Sequence, residues 1–472
     1  MSTAAAERYL FYAFVGLLVW LPLPWGSHRA WSWSLMEIWV ALISLGCLLL
    51  YAAGRLQLSR ALRAAWPVVL VLALVALWIR LQSMPLPAAL LGWLSPAAAA
   101  VHGTAFEGNT LSLERFATRV NLGLTLTYLQ VFVLTLLLLS SAARVRLLLA
   151  AVVLGGVFQA SYGSFLTLSG MDFDYLTLKE VNRGAATGTY INRNHLAGYL
   201  EMTLALGVGL LVANLASRHR RHRDWRDTTR RTLKTLLSEK VRLRIYLTVM
   251  VVGLVMTRSR MGNSAFFISL TLASLYWVVA TRRLTRGTVL LFTSLLLVDV
   301  WVVGNFFGIE RVVQRLEQTT LQGEQRDEVS FDALTAIADY PVTGVGAGSF
   351  YAVFPIYQRG EVPLYYDHAH NDYAEFAVEL GLPATALLGG AVLLSLGVAL
   401  RAQRQRHDRL MKGVALGAGM GLLALLIHSA VDFNLQIPAN AALFVVLMAL
   451  AWVSLYLEHE PAAHPAAAPA AA

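Results

Sequence analysis

Residues 413–457 read GVALGAGMGLLALLIHSAVDFNLQIPANAALFVVLMALAWVSLYL. Two apolar runs, 413–432 and 437–457, flank a short polar turn, and each matches the roughly 20 residues a helix needs to cross ~30 Å of hydrocarbon. An amphipathic helix of a soluble protein would carry a polar face along such a run; these do not. Similar runs lie near 9–26, 34–54, 64–82, 120–140, 147–169, 195–213, 243–257, 262–281, 288–306 and 381–400. Composition agrees: of 472 residues 57% are hydrophobic and only 14% charged, against roughly 45–50% apolar and 25% charged in soluble chains. The reading is an all-α polytopic transmembrane bundle of about twelve helices. A separate soluble enzyme does not fit into what remains. The only cysteine, Cys47, excludes an intramolecular disulfide.

Charge sets the orientation. Of the 38 Lys and Arg, 25 fall on the side that holds the N-terminus, 11 of them between Arg218 and Arg244. Cationic loops stay in the cytoplasm, so both termini are expected there, and the first span is read as uncleaved because no small-residue cleavage site follows it. Sorted by side, the net +10 becomes +18 inside and −8 in the spans and outer loops. The basic surplus therefore orients the chain and meets anionic lipid; it does not call for nucleic acid.

The expected organisation is helices 1–9 within residues 1–306, with a basic cytoplasmic loop at 214–242. A large helical periplasmic loop at 307–380, helices 10–12 within 381–457 and a low-complexity tail at 458–472 follow. Within the large loop, Ile309, Val312, Val313 and Leu316 form one helical stripe and Phe331, Leu334, Ile337 and Ala338 another. These predict two amphipathic helices against the bundle or the outer interface. The glycine-rich YPVTGVGAGSF, 340–350, lacks the lysine of a phosphate-binding loop and reads as a turn, with a phosphate cradle as the alternative.

Polar residues that oppose these trends point to chemistry. Arg183, Arg193, Asn194 and His195 precede the sixth span, with Glu201 two turns inside it. Arg258 and Arg260 occupy the short outer turn TRSRMGN, 257–263, against the positive-inside trend. Planar guanidinium forks suit a phosphate or pyrophosphate; lipid headgroups or the acidic outer loop are the alternative partners. Asp367, His368, His370, Asn371, Asp372 and Glu375 lie within nine residues. An imidazole flanked by carboxylates can act as a general base, hold a metal through His-x-His, or serve only as a hydrogen-bonding scaffold. No Cys or third nearby His completes a metal spacing, which favours the base. His428 and Asp432, four apart, would share a helix face. Glu37 and Asp299 are lone intramembrane carboxylates, read as structural.

Taken in order, TGTYINRNHLAGYLEM, TRSRMG, PVTGVGAGSFYAVFPIY, HNDYAEFAVELGLPA and HSAVDFNLQIPANA resemble the O-antigen ligase and O-antigen polymerase superfamily, over roughly residues 180–440. The most specific element is His370-Asn371, nine residues, then Gly381, although Ala384 stands where the ligase pattern has its last glycine. The resemblance implies a bundle like that of C-type glycosyltransferases in a bacterial inner membrane, with the active site facing the periplasm. It implies metal-independent, inverting transfer of a glycan from an undecaprenyl-diphosphate carrier to an acceptor hydroxyl, with no cofactor. The acceptor is lipid A-core in ligases and the next carrier-linked repeat in polymerases. His370 would then be the base, and Arg258 and Arg260 would clamp the diphosphate. Arg183, Arg193, Asn194, His195, Arg326, His368, Asn371, Asp372, His428 and Asp432 would bind substrate. A transporter or flippase of a lipid-linked or anionic solute is the rival from another class; few midplane polar residues and no internal repeat support it.

Overall fold

A computed structural model describes residues 3–103, 109–171, 173–174, 177–179, 182–215, 239–281, 293, 326–359 and 365–458. The apolar runs are helices: α1 Thr3–Trp20, α2 Ala30–Ala52, α3 Trp66–Gln82, α4 Arg115–Leu138, α5 Ala142–Leu168, α6 Arg193–Leu215, α7 Glu239–Met256 and α8 Arg260–Thr281. After them come α9 Arg326–Asp339, α10 Asp372–Leu380, α11 Leu382–Gln405, α12 Arg409–His428 and α13 Pro438–Tyr456, with shorter helical turns between. A two-residue antiparallel pairing of Phe173–Asp174 with Thr177–Leu178 is the only strand contact among the described residues.

Eight helices, α2, α4, α5, α6, α8, α11, α12 and α13, are long and apolar enough to cross a membrane. Three more of the expected spans, α1, α3 and α7, are helical but shorter or less apolar. The expected span near 288–306, with Asp299, and the stripe from Ile309 to Leu316 lie outside the described residues. Outer helices leave apolar side chains uncovered, as α2 does with Leu42, Leu45, Leu48 and Leu49. Such a surface is stable only in lipid. The chain is a membrane protein.

At the centre stands α6, buried along its length. Its tightest neighbour is α12, and glycine is the reason. A Cβ on Gly209 would lie 2.3 Å from the Gly413 carbonyl oxygen, and one on Gly413 would lie 2.3 Å from that of Gly209. Small residues let backbones approach where apolar burial gives no advantage over lipid.

The spacing from His370 to Gly381 is a helix. Asn371 caps α10, its side chain accepting from the Tyr373 and Ala374 N–H groups, as amide N-caps do. After nine helical residues Gly381 ends the helix with φ +78°, a conformation that glycine adopts without strain. Asp372, Glu375 and Glu379 share one stripe of α10. Asp372 accepts from the Ser429 hydroxyl and the Leu435 N–H, Glu375 from the Ala369 N–H, and Glu379 from the Phe350 N–H. Three loops are thus fastened to one short helix.

The 340–350 segment is a turn and not a phosphate cradle. Its Val345 and Gly346 N–H groups donate to the carbonyls of Val378 and Glu379, and the Glu379 carboxylate occupies the Phe350 end. The second expected amphipathic stripe lies on α9 and is divided between the protein and the outside. Val329, Ala333 and Ala336 are buried and Ile337 packs against them, while Phe331 and Leu334 are exposed.

Candidate active site

Chain segments from five parts of the sequence meet at one end of the bundle, around a cavity of about 360 Å³. Its lining includes Arg193, Asn194, Arg258, Ser259, Arg260, Ser330, His370, His428 and Asp432. Seven candidates from the sequence, scattered over 240 positions, are therefore neighbours.

Local structure explains each placement. Asn192 accepts the Asn194 N–H and opens α6, which sets Arg193 and Asn194 in its first turn. Ser259 accepts the Gly262 N–H and so caps α8, leaving Arg258 and Arg260 on either side of the cap. Helix starts also carry positive dipole ends, which favour anions. Arg258 has φ +54° and His370 φ +50°; left-handed backbone costs a non-glycine residue about 1–2 kcal/mol, and strain of this kind clusters at functional sites. For His370 the surrounding hydrogen bonds hold it, with Ala369 N–H on Glu375 before it and the Asn371 cap after it.

The lining continues into a buried polar layer. The Asp432 carboxylate accepts from the Asn194 amide and the Phe433 N–H, and its Oδ1 is 3.6 Å from His195 Nε2. Burial pushes the Asp432 carboxyl up, but the His195 and His428 imidazoles and the Phe433 N–H hold it below the usual carboxylate range. The expected pairing of His428 with Asp432 is not formed. Helix α12 ends at His428, so Asp432 leaves the helix face, and the partner of His428 is Glu201, with Nδ1 2.8 Å from Oε1.

Other candidates fall outside the cavity lining. Arg183 lies on the neighbouring loop and donates from Nε to the Lys179 carbonyl, 3.1 Å away. His195 is behind Asp432. Asn371 and Asp372 serve the architecture of α10. Arg326 begins α9. His368 belongs to a second cavity of about 180 Å³, with His28, Asp367, Glu375 and Glu379. Its ring stacks on Phe433 at 4.2 Å, while His370 and His195 meet the same ring edge-on at 4.9 and 4.6 Å. Phe433 thus stands among three imidazoles, and no sequence pattern singles it out.

The two cavities differ in charge. Burial opposes protonation of His368, yet Glu375 at 2.7 Å and nearby Asp367 raise it to about 9. Burial and Glu375 push Glu379 to about 8, and burial with the two nearby imidazoles lowers His28 to about 4. Among the described residues no three His, Cys, Asp or Glu side chains are grouped to hold a metal ion. A third cavity, apolar and about 170 Å³, shares Asn121, Leu124, Glu379 and Gln436 with the second and runs between α3, α4, α11 and α13.

A polytopic membrane protein with a cationic, histidine-bearing cavity at one end of its bundle is the class these features define. Residues 245–389 match the family model described as O-antigen ligase, which supports membership of the O-antigen ligase superfamily. The matched segment carries Arg258, Arg260 and His370, whereas Arg193 and His428 reach the cavity from outside it. No curated protein matches the chain.

Proposed function

We propose that the protein is an inverting, metal-independent glycosyltransferase. It moves a glycan from an undecaprenyl-diphosphate carrier to an acceptor hydroxyl, with lipid A-core as acceptor, on the periplasmic face of a bacterial inner membrane. The observation that carries this reading is the single cavity that gathers Arg193, Arg258 and Arg260 with His370. A lipid diphosphate is already a good leaving group, so two tasks remain. One is to take the proton from the acceptor hydroxyl, which falls to His370 as general base. The other is to balance the charge that builds on the departing diphosphate, which falls to the guanidiniums. The apolar cavity between α3, α4, α11 and α13 suits a hydrocarbon chain and supports a lipid-linked substrate.

A polymerase that uses a second carrier-linked glycan as acceptor is the other reading, because Ala384 replaces the final glycine of the ligase pattern. Purified protein given carrier-linked glycan, without and then with lipid A-core, separates the two. Transfer only when core is present is expected, and chain lengthening without it assigns the polymerase. His370→Ala is expected to abolish transfer while leaving insertion and carrier binding intact. Wild-type rates from that variant would remove the base assignment, and no transfer by the wild type to either acceptor would remove the enzyme reading in favour of a transporter.

A further inference from the structure

The mechanism above leaves one buried pair without a task. Glu201 is wholly buried inside α6, and His428, 1% exposed, ends α12 with its ring on the cavity wall. A carboxylate at such a depth is expensive unless a cation or several donors answer it. Among the described residues Glu201 has one: His428 Nδ1 on Oε1, while Oε2 is buried without a hydrogen-bond partner among them. Gly262 packs tightly beside the pair: a Cβ there would fall 2.6 Å from Ala197 Cβ and 3.1 Å from Glu201 Oε1. With Nδ1 committed to Glu201, Nε2 is the nitrogen left to act in the cavity, and the carboxylate fixes both tautomer and ring orientation.

We propose that His428, held as an imidazolium by Glu201, is a second catalytic histidine that donates from Nε2 to the departing diphosphate, with Glu201 as its positioning residue. The inference rests on the reading of the cavity as a lipid-diphosphate site. In the step, His370 takes the proton of the acceptor hydroxyl and the acceptor oxygen bonds to the anomeric carbon. The bond from that carbon to the phosphate oxygen breaks, and its electron pair stays on the diphosphate. The product diphosphate thus bears one more negative charge than the donor's, and the His428 N–H meets that charge as it forms. Other charged or titratable groups around His428 are Asp432 in the same cavity lining, His195 behind it, Asp372 on α10, and Arg193, Arg258, Arg260 and His370 of the cavity.

Turnover of carrier-linked glycan and binding of undecaprenyl diphosphate, both followed from pH 5.5 to 9 on full-length protein in nanodiscs, test the proposal. His428→Gln is expected to lower kcat on the order of 100–1000-fold with donor KM little changed, and to abolish the decline of activity at high pH. Glu201→Gln, which keeps an acceptor for Nδ1 but removes the charge, is expected to move that decline to lower pH. Binding of undecaprenyl diphosphate should weaken as pH rises in the wild type and become weak and pH-independent in His428→Gln. A wild-type pH profile and product affinity in His428→Gln would overturn the proposal, as would equal losses in both variants with the profile unmoved. Wild-type protein that binds the lipid diphosphate with this pH dependence but transfers nothing would instead remove the glycosyltransferase reading and leave the imidazolium contact standing.

Discussion

Arg258 and Arg260 flank one cap residue, and their positions follow from the cap. Each guanidinium that contacts the diphosphate is worth about 1.5–3 kcal/mol, so Arg258→Ala and Arg260→Ala are each expected to weaken binding of undecaprenyl diphosphate roughly 10–100-fold. Affinity measured in detergent or nanodiscs checks this, and wild-type affinity in both would place the diphosphate elsewhere. His368 makes a different prediction. Its folded value of about 9 lies above the ordinary 6.5, so its stabilising contribution is complete below pH 6.5 and is lost as pH rises through 9. The full effect is on the order of 3 kcal/mol at most. Thermal unfolding at pH 6 and 9.5 should show a larger drop in the wild type than in His368→Gln, and equal drops would mean the Glu375 pair is not ionic.

At the scale of elements, α10 is the part on which the site depends. It ends at Gly381, where a Cβ would lie 2.2 Å from the Val342 carbonyl oxygen at a φ of +78°. Gly381→Ala is therefore expected to destabilise the protein by about 1–3 kcal/mol and to reduce transfer by displacing the His370 loop. A melting temperature and activity equal to wild type would contradict this. The α6–α12 crossing makes the parallel case. Gly413→Leu should prevent the two helices from approaching and lower yield and stability, whereas Ala384, whose methyl group packs near Val75, Ile79 and Leu380, already shows that its own position has room for a side chain. The capping pattern of α10 could be read beforehand, since an amide N-cap, nine residues and glycine describe a helix. The meeting of Glu379 and Asp372 with distant loops could not, because their partners lie 29 to 63 residues away.

For the whole molecule, groups that the charge count assigns to one side do meet at one end. Arg60 lies 3.5 Å from Glu458, Arg144 2.5 Å from Glu7, and Arg406 donates to the Leu457 carbonyl at 2.7 Å. The candidate cavity is at the other end, formed by the starts of α6 and α8 and the end of α12. If the basic end is cytoplasmic, a cysteine placed at Tyr365 should react with an impermeant reagent added outside intact spheroplasts and one placed at Arg146 should not. Cys47, being buried, gives little background. The reverse pattern would invert the topology and put the cavity in the cytoplasm.

Membrane residence, helix content and the unusual arginines were decided by the sequence, because hydropathy, length and charge are local properties that one segment carries alone. Arg258, Arg260 and His370 stood out there because a charge or imidazole in such surroundings costs energy that something must offset. Only the tertiary structure decided which of these groups share a cavity. His368 and His370 are two residues apart and both touch Phe433 yet line different cavities, whereas Glu201 and His428 are 227 apart and form one pair. Proximity across a bundle depends on how helices cross, and that is settled by contacts such as Gly209 on Gly413, which no single segment contains.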